Sequence, residues 1–187
     1  SRNAPIGGAS FARVRAHCAP NAASNARLAY MIEDLEHLSL AALRARFSEL
    51  AAPDAAALTG PWRGAFIGPA WLRAVAPRGL ALVGLRGWLG KEIAGEKGEA
   101  ANLVRRGGAL ARVLPMRLSE APSLWDGRPC ARLSYPRGSP AHWPWVVDEL
   151  RTLDARRLLG LSFLDLRLAR RSPLPFLLVR AEASEAR

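Results

Sequence analysis

The sequence contains few cysteines and histidines, and it has no long apolar run. The two cysteines among its 187 residues, Cys18 and Cys130, are far apart, which excludes the disulfide framework of a small secreted protein. The three histidines, His17, His37 and His142, are also scattered and do not have the spacing of a metal site. No stretch approaches the ~18 consecutive apolar residues of a membrane-spanning helix. We therefore expect no cofactor and no metal, and a reducing or neutral compartment.

Acidic residues are scarce, and the resulting positive charge is unevenly distributed. The chain has 27 Arg and Lys against 16 Asp and Glu, a net charge of +11. Residues 1–57 contain six Arg and five acids, a net +1, whereas residues 58–187 contain 21 basic residues and 11 acids, a net +10. A region with this charge is expected to meet nucleic acid, an anionic lipid surface or acidic protein surfaces.

The composition divides the chain into three regions. Residues 1–20 have no sustained apolar periodicity, which predicts an extended tail that becomes ordered against a partner. Residues 21–57 form a predicted helical arm: one amphipathic helix precedes Ser39, and a second one begins at Ser39 and ends at Pro53. The first helix is predicted from apolar residues at helical spacing, namely Leu28, Met31, Ile32, Leu35 and Leu38.

Residues 58–187 are typical of a β-domain, because short alternating runs are separated by Gly, Pro and Asp-Gly turns. One such turn, Asp126-Gly127, predicts a hairpin. The candidate strands cover 58–67, 88–94, 100–106, 110–118, 131–135, 145–151, 157–165 and 175–181. About eight antiparallel strands can close a barrel with room for side chains or one small ligand. The predicted fold class is therefore mainly β, a barrel of about eight strands preceded by the helical arm.

The apolar stretch from Phe66 to Leu89 is longer than a tight turn between strands requires. We expect a short helix at 70–76 and interpret the remainder in two ways, as a lid on the barrel or as a patch that faces a membrane or a partner. The candidate contact residues of this stretch are Phe66, Trp71, Leu82 and Trp88.

No pattern in the sequence indicates an enzyme. The glycines before Lys91 do not have the spacing of a phosphate-binding loop, and Glu92 stands where such a loop needs Ser or Thr. Ser139, His142 and Asp148 lack the nucleophile elbow of a hydrolase. We interpret the acids that alternate with arginines from residue 148 onward as ion pairs on a solvated face; they are Asp148, Glu149, Asp154, Asp165, Arg151, Arg156, Arg157 and Arg167.

The pentapeptide Gly60-Pro61-Trp62-Arg63-Gly64 opens the β-domain, and the last predicted strand ends near Arg180. With these two features the region 58–181 resembles lipocalin-like (calycin) barrels, and it is similar to bacterial barrel proteins with a G-x-W-x-G strand. The resemblance implies that Gly60 and Gly64 let the backbone pass closely beside Trp62. It also implies that Arg180 covers Trp62 in a cation–π contact that closes the base of the barrel.

The function predicted from these features is that of a non-catalytic, basic binding module, an accessory subunit that docks on a larger, membrane-associated protein assembly or on an anionic membrane. One alternative is a carrier of an apolar small molecule, with Leu114, Met116 and Leu118 lining its cavity. Another is an RNA-bound subunit, because arginines are interleaved with aromatic residues. The acid-free, arginine-bearing start of the chain favours an organellar, mitochondrial location, with the bacterial cytoplasm as the alternative and secretion not expected.

Overall fold

The computed structural model describes residues 32–140, 142–164 and 172–181. The predicted tail at 1–20 lies outside these residues. The described part of helix α1 covers 32–36. The further elements are α2 (Leu40–Glu49), β1 (Thr59–Phe66), α3 (Ala70–Leu80), β2 (Trp88–Ala94), β3 (Glu99–Arg106), β4 (Ala109–Pro122), β5 (Pro129–Ser134), β6 (Val146–Asp154), β7 (Arg157–Leu164) and β8 (Leu174–Arg180).

The eight strands form one closed antiparallel barrel in which each strand pairs with its neighbour in sequence. The barrel closes through β1 and β8, with Trp62 opposite Arg180 and Phe66 opposite Phe176. Closure leaves no edge strand with unpaired backbone groups. The predicted mainly β fold, an antiparallel barrel of eight strands preceded by short helices, is confirmed.

The two ends of the barrel differ in what covers them. We name the end where β1 ends and β2 begins the mouth, and the opposite end the base. At the mouth, residues 67–87 connect β1 to β2, residues 107–108 connect β3 to β4, and a connection with a turn of 3₁₀-helix at Trp143–Trp145 links β5 to β6. At the base the connections cover 95–98, 123–128 and 155–156, and none is as long as the connection from β1 to β2.

The helical arm packs on the outer wall of the barrel. The hydroxyl of Ser39 accepts a hydrogen bond of 3.1 Å from the backbone N–H of Ala42, which satisfies one free donor at the start of α2. The helix buries Leu43 and Phe47 completely. They form one apolar cluster with outward-facing residues of β7 and β8, including Leu159, Leu161, Leu177 and Val179. These strands are therefore buried on both faces.

The prediction of a solvated, ion-paired face on the sixth strand is wrong for three of its residues. Asp148, Glu149 and Arg151 are 4%, 0% and 0% exposed. Asp148 faces the interior, where it pairs with Lys91. Arg151 faces outward but lies beneath Phe47, with its guanidinium carbon 4.5 Å from the ring centroid. The alternation of charge was misleading because β6 has a covered surface on each side.

The stretch between Phe66 and Leu89 forms a lid over the mouth. Helix α3 extends to Leu80, four residues beyond the predicted end at 76, and the chain then turns through a kink at Val83 and Gly84, whose φ and ψ angles are not helical. Leu85 is buried in the cluster that fills the barrel, and the half-buried Leu80 and Val83 pack against that cluster. The indole N–H of Trp143 donates a 3.1 Å hydrogen bond to the carbonyl of Val83. The lid is therefore fixed to the barrel by one of its faces.

Candidate functional site

The base of the barrel is plugged by Trp62, which is 3% exposed. The guanidinium carbon of Arg180 lies 5.1 Å from the centroid of the Trp62 ring, a distance typical of a cation–π contact. Gly60, next to this plug, has a φ of +90° that a larger residue would adopt only with strain. These residues form a structural closure of the base.

Aromatic rings fill the interior between the plug and the lid. A Cβ atom on Gly64 would lie 2.2 Å from the ring of Trp88, and a Cβ atom on Gly160 would lie 2.3 Å from the ring of Phe176. The ring centroids of Trp88 and Phe176 are 6.4 Å apart, and that of Phe66 is 5.4 Å from Trp88. The two glycines thus provide the space that the rings occupy.

A cluster of paired polar side chains lies in the same interior. The ammonium of Lys91 lies 2.8 Å from a carboxylate oxygen of Asp148 and donates a 3.0 Å hydrogen bond to the amide oxygen of Asn102. Asn102 donates a 2.9 Å bond to the hydroxyl of Tyr135 and accepts a 3.1 Å bond from the indole of Trp88. Each of the five side chains has a partner within the cluster, so the cluster satisfies itself.

The electrostatics of the cluster stabilise its charged form. Burial by itself lowers the pKa of Lys91, but attraction to Asp148 and the interaction with Tyr135 outweigh it and the pKa is raised. Burial raises the pKa of Tyr135, so its hydroxyl stays protonated at neutral pH. This cluster could not be identified from the sequence pattern. Its only signal was that Lys91 and Asp148 have the same strand parity as the apolar Ile93 and Leu150.

The structure separates the candidate ligand and partner residues into two groups. Met116 and Leu118 are buried in the barrel, and Leu114 is half-buried beside them at a positive φ of 51°. Phe66 and Trp88 are half-buried and in ring contact below the lid, so neither belongs to an outer patch. Trp71 and Leu82 lie on the outside of the lid, 57% and 89% exposed.

Exposed apolar side chains of the described residues are concentrated at the mouth. Seven large hydrophobic residues are exposed: Trp71, Val75, Leu82, Leu110, Trp145, Leu164 and Leu174. The first three lie on the lid, and the other four lie at the mouth ends of β4, β6, β7 and β8 or directly next to them. Isolated exposed hydrophobic residues are ordinarily distributed over the whole surface, whereas these are gathered at one end of the barrel.

Positive charge occupies the same end. Arg78, Arg86, Arg106 and Arg137 are exposed at the mouth, and none of them has an acidic partner among the described residues. The sequence contains no acid at 55–91, 100–119 or 127–147, the segments that supply the described mouth connections. Acids gather at the base instead, at Glu96, Glu99, Glu120, Asp126 and Asp154. The barrel therefore has a basic, apolar mouth, whereas its base carries acids and basic residues together, the latter including Lys97, Arg117, Arg128, Arg156 and Arg180.

The described residues contain neither a metal-binding cluster nor the triad considered for Ser139, His142 and Asp148. They contain no group of three or more His, Cys, Asp or Glu side chains that could hold a metal ion. His142 lies against the ring of Trp143, whereas Asp148 is bound to Lys91 inside the barrel, so the two do not form a hydrolase triad with Ser139. Within the same described ranges, no helix is long and apolar enough to cross a membrane.

Comparison with known proteins shows the fold and nothing more specific. The barrel is similar to the crystal structure of a protein from Thermomonospora curvata, with a TM-score of 0.60 and 22% sequence identity over 84% of this chain and 97% of that chain. No protein-family model matches the chain, and no curated protein matches it. An identity this low is informative about architecture, and a shared architecture does not define a function.

Proposed function

We propose that this protein is a non-catalytic docking module and that the barrel mouth is its contact surface. The proposal depends on one observation, the gathering of all seven exposed large hydrophobic side chains of the described residues at the mouth. Exposing these groups to water is unfavourable, and a partner that covers them removes that cost. The exposed arginines beside them supply the electrostatic complement to an acidic or anionic partner.

The packing of the interior favours docking over the carriage of an apolar molecule. The rings of Trp88 and Phe176 lie directly against Gly64 and Gly160, and the polar groups of the Lys91 cluster bind one another. A carrier needs an open cavity with a few polar groups left free to orient its ligand. The likeness to lipocalins in the Trp62–Arg180 contact supports the architecture of a lipocalin-like barrel and does not by itself support a carrier role.

Fractionation of lysates from the native host tests this proposal. We expect the protein to sediment with membranes and large assemblies during ultracentrifugation and to remain in the pellet after nuclease treatment. The variant Trp71→Asp/Leu82→Asp should move to the supernatant, because it places two carboxylates on the outer face of the lid. Its control is Ala56→Asp/Ala57→Asp, which adds the same two charges at exposed positions next to the base.

Two results would contradict the proposal. One is a protein that stays in the supernatant even before it is substituted. The other is a mouth variant that still sediments as the unsubstituted protein does. Release by nuclease would instead support the RNA-bound alternative. Thermal unfolding of each variant is the control for folding. A midpoint equal to that of the unsubstituted protein shows that the substitutions act on the surface alone.

A further inference from the structure

The lid presents an apolar stripe that the described part of the fold leaves exposed. Trp71, Val75 and Leu82 are spaced i, i+4 and i+11 along α3 and the turn that follows it, which places them on one side of the helix. Leu72, on another side of the helix, and Leu85, which follows the kink at Val83 and Gly84, are buried and hold the lid to the barrel. The stripe therefore faces away from the molecule on an element that is already fixed.

The other exposed apolar residues are distributed around the rim of the mouth. They lie on separate elements: Leu110 on β4, Trp145 before β6, Leu164 on β7 and Leu174 on β8. A stable protein interface requires a contiguous, closely packed patch of roughly 800 Å² on each partner. Separate side chains that project among arginines suit a fluid surface instead, because its molecules can rearrange around each side chain.

The residue types at the mouth match the layers of an anionic bilayer surface. Tryptophan is favoured at the boundary between headgroups and acyl chains, and leucine and valine enter the apolar layer below it. Arginine binds phosphate and carboxylate groups through a planar fork of N–H donors. The arginines available for such contacts are Arg78, Arg86, Arg106 and Arg137, and the described mouth connections supply no acid to oppose them.

From these observations, and resting on the docking function proposed above, we infer that the partner of the mouth is the surface of an anionic lipid bilayer. The lid and rim enter the interfacial layer with Trp71, Leu82 and Trp145, and the arginines bind phosphate and carboxylate headgroups. The base, which carries acids together with basic residues such as Lys97 and Arg128, points away from the membrane. The barrel binds at the bilayer surface and does not need to open.

Vesicle binding by the purified full chain tests the inference. Phosphatidylcholine vesicles with and without phosphatidylserine are compared by co-sedimentation and by tryptophan fluorescence with bromine-labelled lipid as the quencher. We expect binding at least ~10-fold tighter to the vesicles that contain phosphatidylserine, and quenching of the mouth tryptophans in the bound state. Trp71→Ser should remove part of that quenching while the protein remains folded, because its side chain is exposed.

Charge variants separate the lipid contact from a general effect of charge. Arg86→Glu/Arg137→Glu should weaken binding by at least ~10-fold, since each basic residue near an anionic surface contributes about fivefold to affinity. The matched control is Arg117→Glu combined with Lys97→Glu, which makes the same change of charge at exposed positions toward the base. This control should retain most of the affinity, and equal losses in both double variants would overturn the inference.

The inference and the docking function can fail separately. Suppose that the purified chain does not bind phosphatidylserine vesicles, but that Trp71→Asp/Leu82→Asp still moves from the pellet to the supernatant of the lysate. The partner is then a protein, the docking function stands, and only the lipid inference is wrong. If the chain binds vesicles while the mouth variants bind equally well, the inference is also wrong, because another surface makes the contact. Binding that depends on phosphatidylserine and is lost in the mouth variants supports both.

Discussion

Lys91 and Asp148 form an ion pair inside the barrel, with 2.8 Å between nitrogen and oxygen and side chains that are 4% and 6% exposed. Taking two charges out of water costs several kcal/mol for each ion, and their attraction offsets that cost only when the geometry is good and further hydrogen bonds are made. The bond from Lys91 to Asn102 supplies one of these. The pair therefore adds little net stability, and each of its two charges depends on the other to remain buried.

Removing one member of this pair should be far more damaging than removing both. Asp148→Asn leaves a buried ammonium without its counter-ion, and we expect the free energy of unfolding to fall by about 3–5 kcal/mol. The double variant Lys91→Met/Asp148→Leu should lose much less, or gain stability, because no charge remains buried. Urea denaturation followed by circular dichroism measures both changes.

The exposed pair between Arg112 and Glu92 provides the control. Its side chains are 58% and 36% exposed, so Glu92→Gln should change the free energy of unfolding by no more than about 1 kcal/mol. A loss in Asp148→Asn as small as this one would show that the interior pair is solvated in solution.

Trp62 should be the most costly residue to truncate at the base. Trp62→Ala removes a buried indole and should lower the free energy of unfolding by about 3–5 kcal/mol. Arg180→Ala removes one cation–π contact at an exposed side chain and should cost only about 0.5–1 kcal/mol. Trp145→Ala, at an exposed indole, serves as the control and should stay within about 0.5 kcal/mol of the unsubstituted protein. Equal losses at the two tryptophans would be incompatible with Trp62 as the plug.

Two glycine substitutions should have opposite effects on stability. Gly64→Ala places a methyl group 2.2 Å from the ring of Trp88, and overpacking of this kind costs about 1–3 kcal/mol. Gly79→Ala adds the same methyl group to helix α3, where nothing lies within 4 Å, and should stabilise the protein by about 0.5–1 kcal/mol. Thermal unfolding midpoints should move in opposite directions, and a neutral Gly64→Ala would indicate an interior with free space.

Asp126 should contribute to acid sensitivity. Two 2.7 Å hydrogen bonds from Arg151 hold its carboxylate and, as the largest cause, lower the pKa of Asp126 to about 2. A pKa lowered by folding contributes stability above the unfolded value of ~3.9, and that stability is lost as the pH falls through the folded value. Asp126→Asn should therefore be less stable than the unsubstituted protein at pH 7, and the difference should shrink between pH ~4 and ~2. Glu96→Gln, an exposed acid at the same end, should show no comparable loss at pH 7.

The strand pattern could be read from the sequence because alternation and turn residues act locally. The predicted strands at 88–94 and 157–165 differ from the observed β2 and β7 by at most one residue at either end. The two faces of β6 could not be predicted in this way. Its alternation was visible, but whether Glu149 and Arg151 meet water depends on Ser123 and Phe47, which lie far away in the chain.

The candidate surface could be predicted only in part, because the sequence shows apolar stretches but does not show which of their residues face outward. Trp71 and Leu82 were identified from an apolar stretch longer than a connection needs, and both are exposed on the lid. Phe66 and Trp88 have the same sequence character but lie inside: Phe66 shares the inward parity of Trp62 on β1, and a register shift between Trp88 and Gly90 turns Trp88 inward at the start of β2. Leu110, Trp145, Leu164 and Leu174 were not identified, since only closure of the barrel brings them to one end.

The pairing order of the strands also determines how the chain folds. Seven of the eight pairings join consecutive strands, and only the pairing of β1 with β8 joins distant ones. Consecutive strands close short loops with little loss of chain entropy, whereas the last pairing brings together segments more than a hundred residues apart. We therefore expect a curved, open sheet to form first and closure to be the slow step. Until β8 reaches β1, both strands have free edges, and that interval is when the nascent chain is most exposed to aggregation.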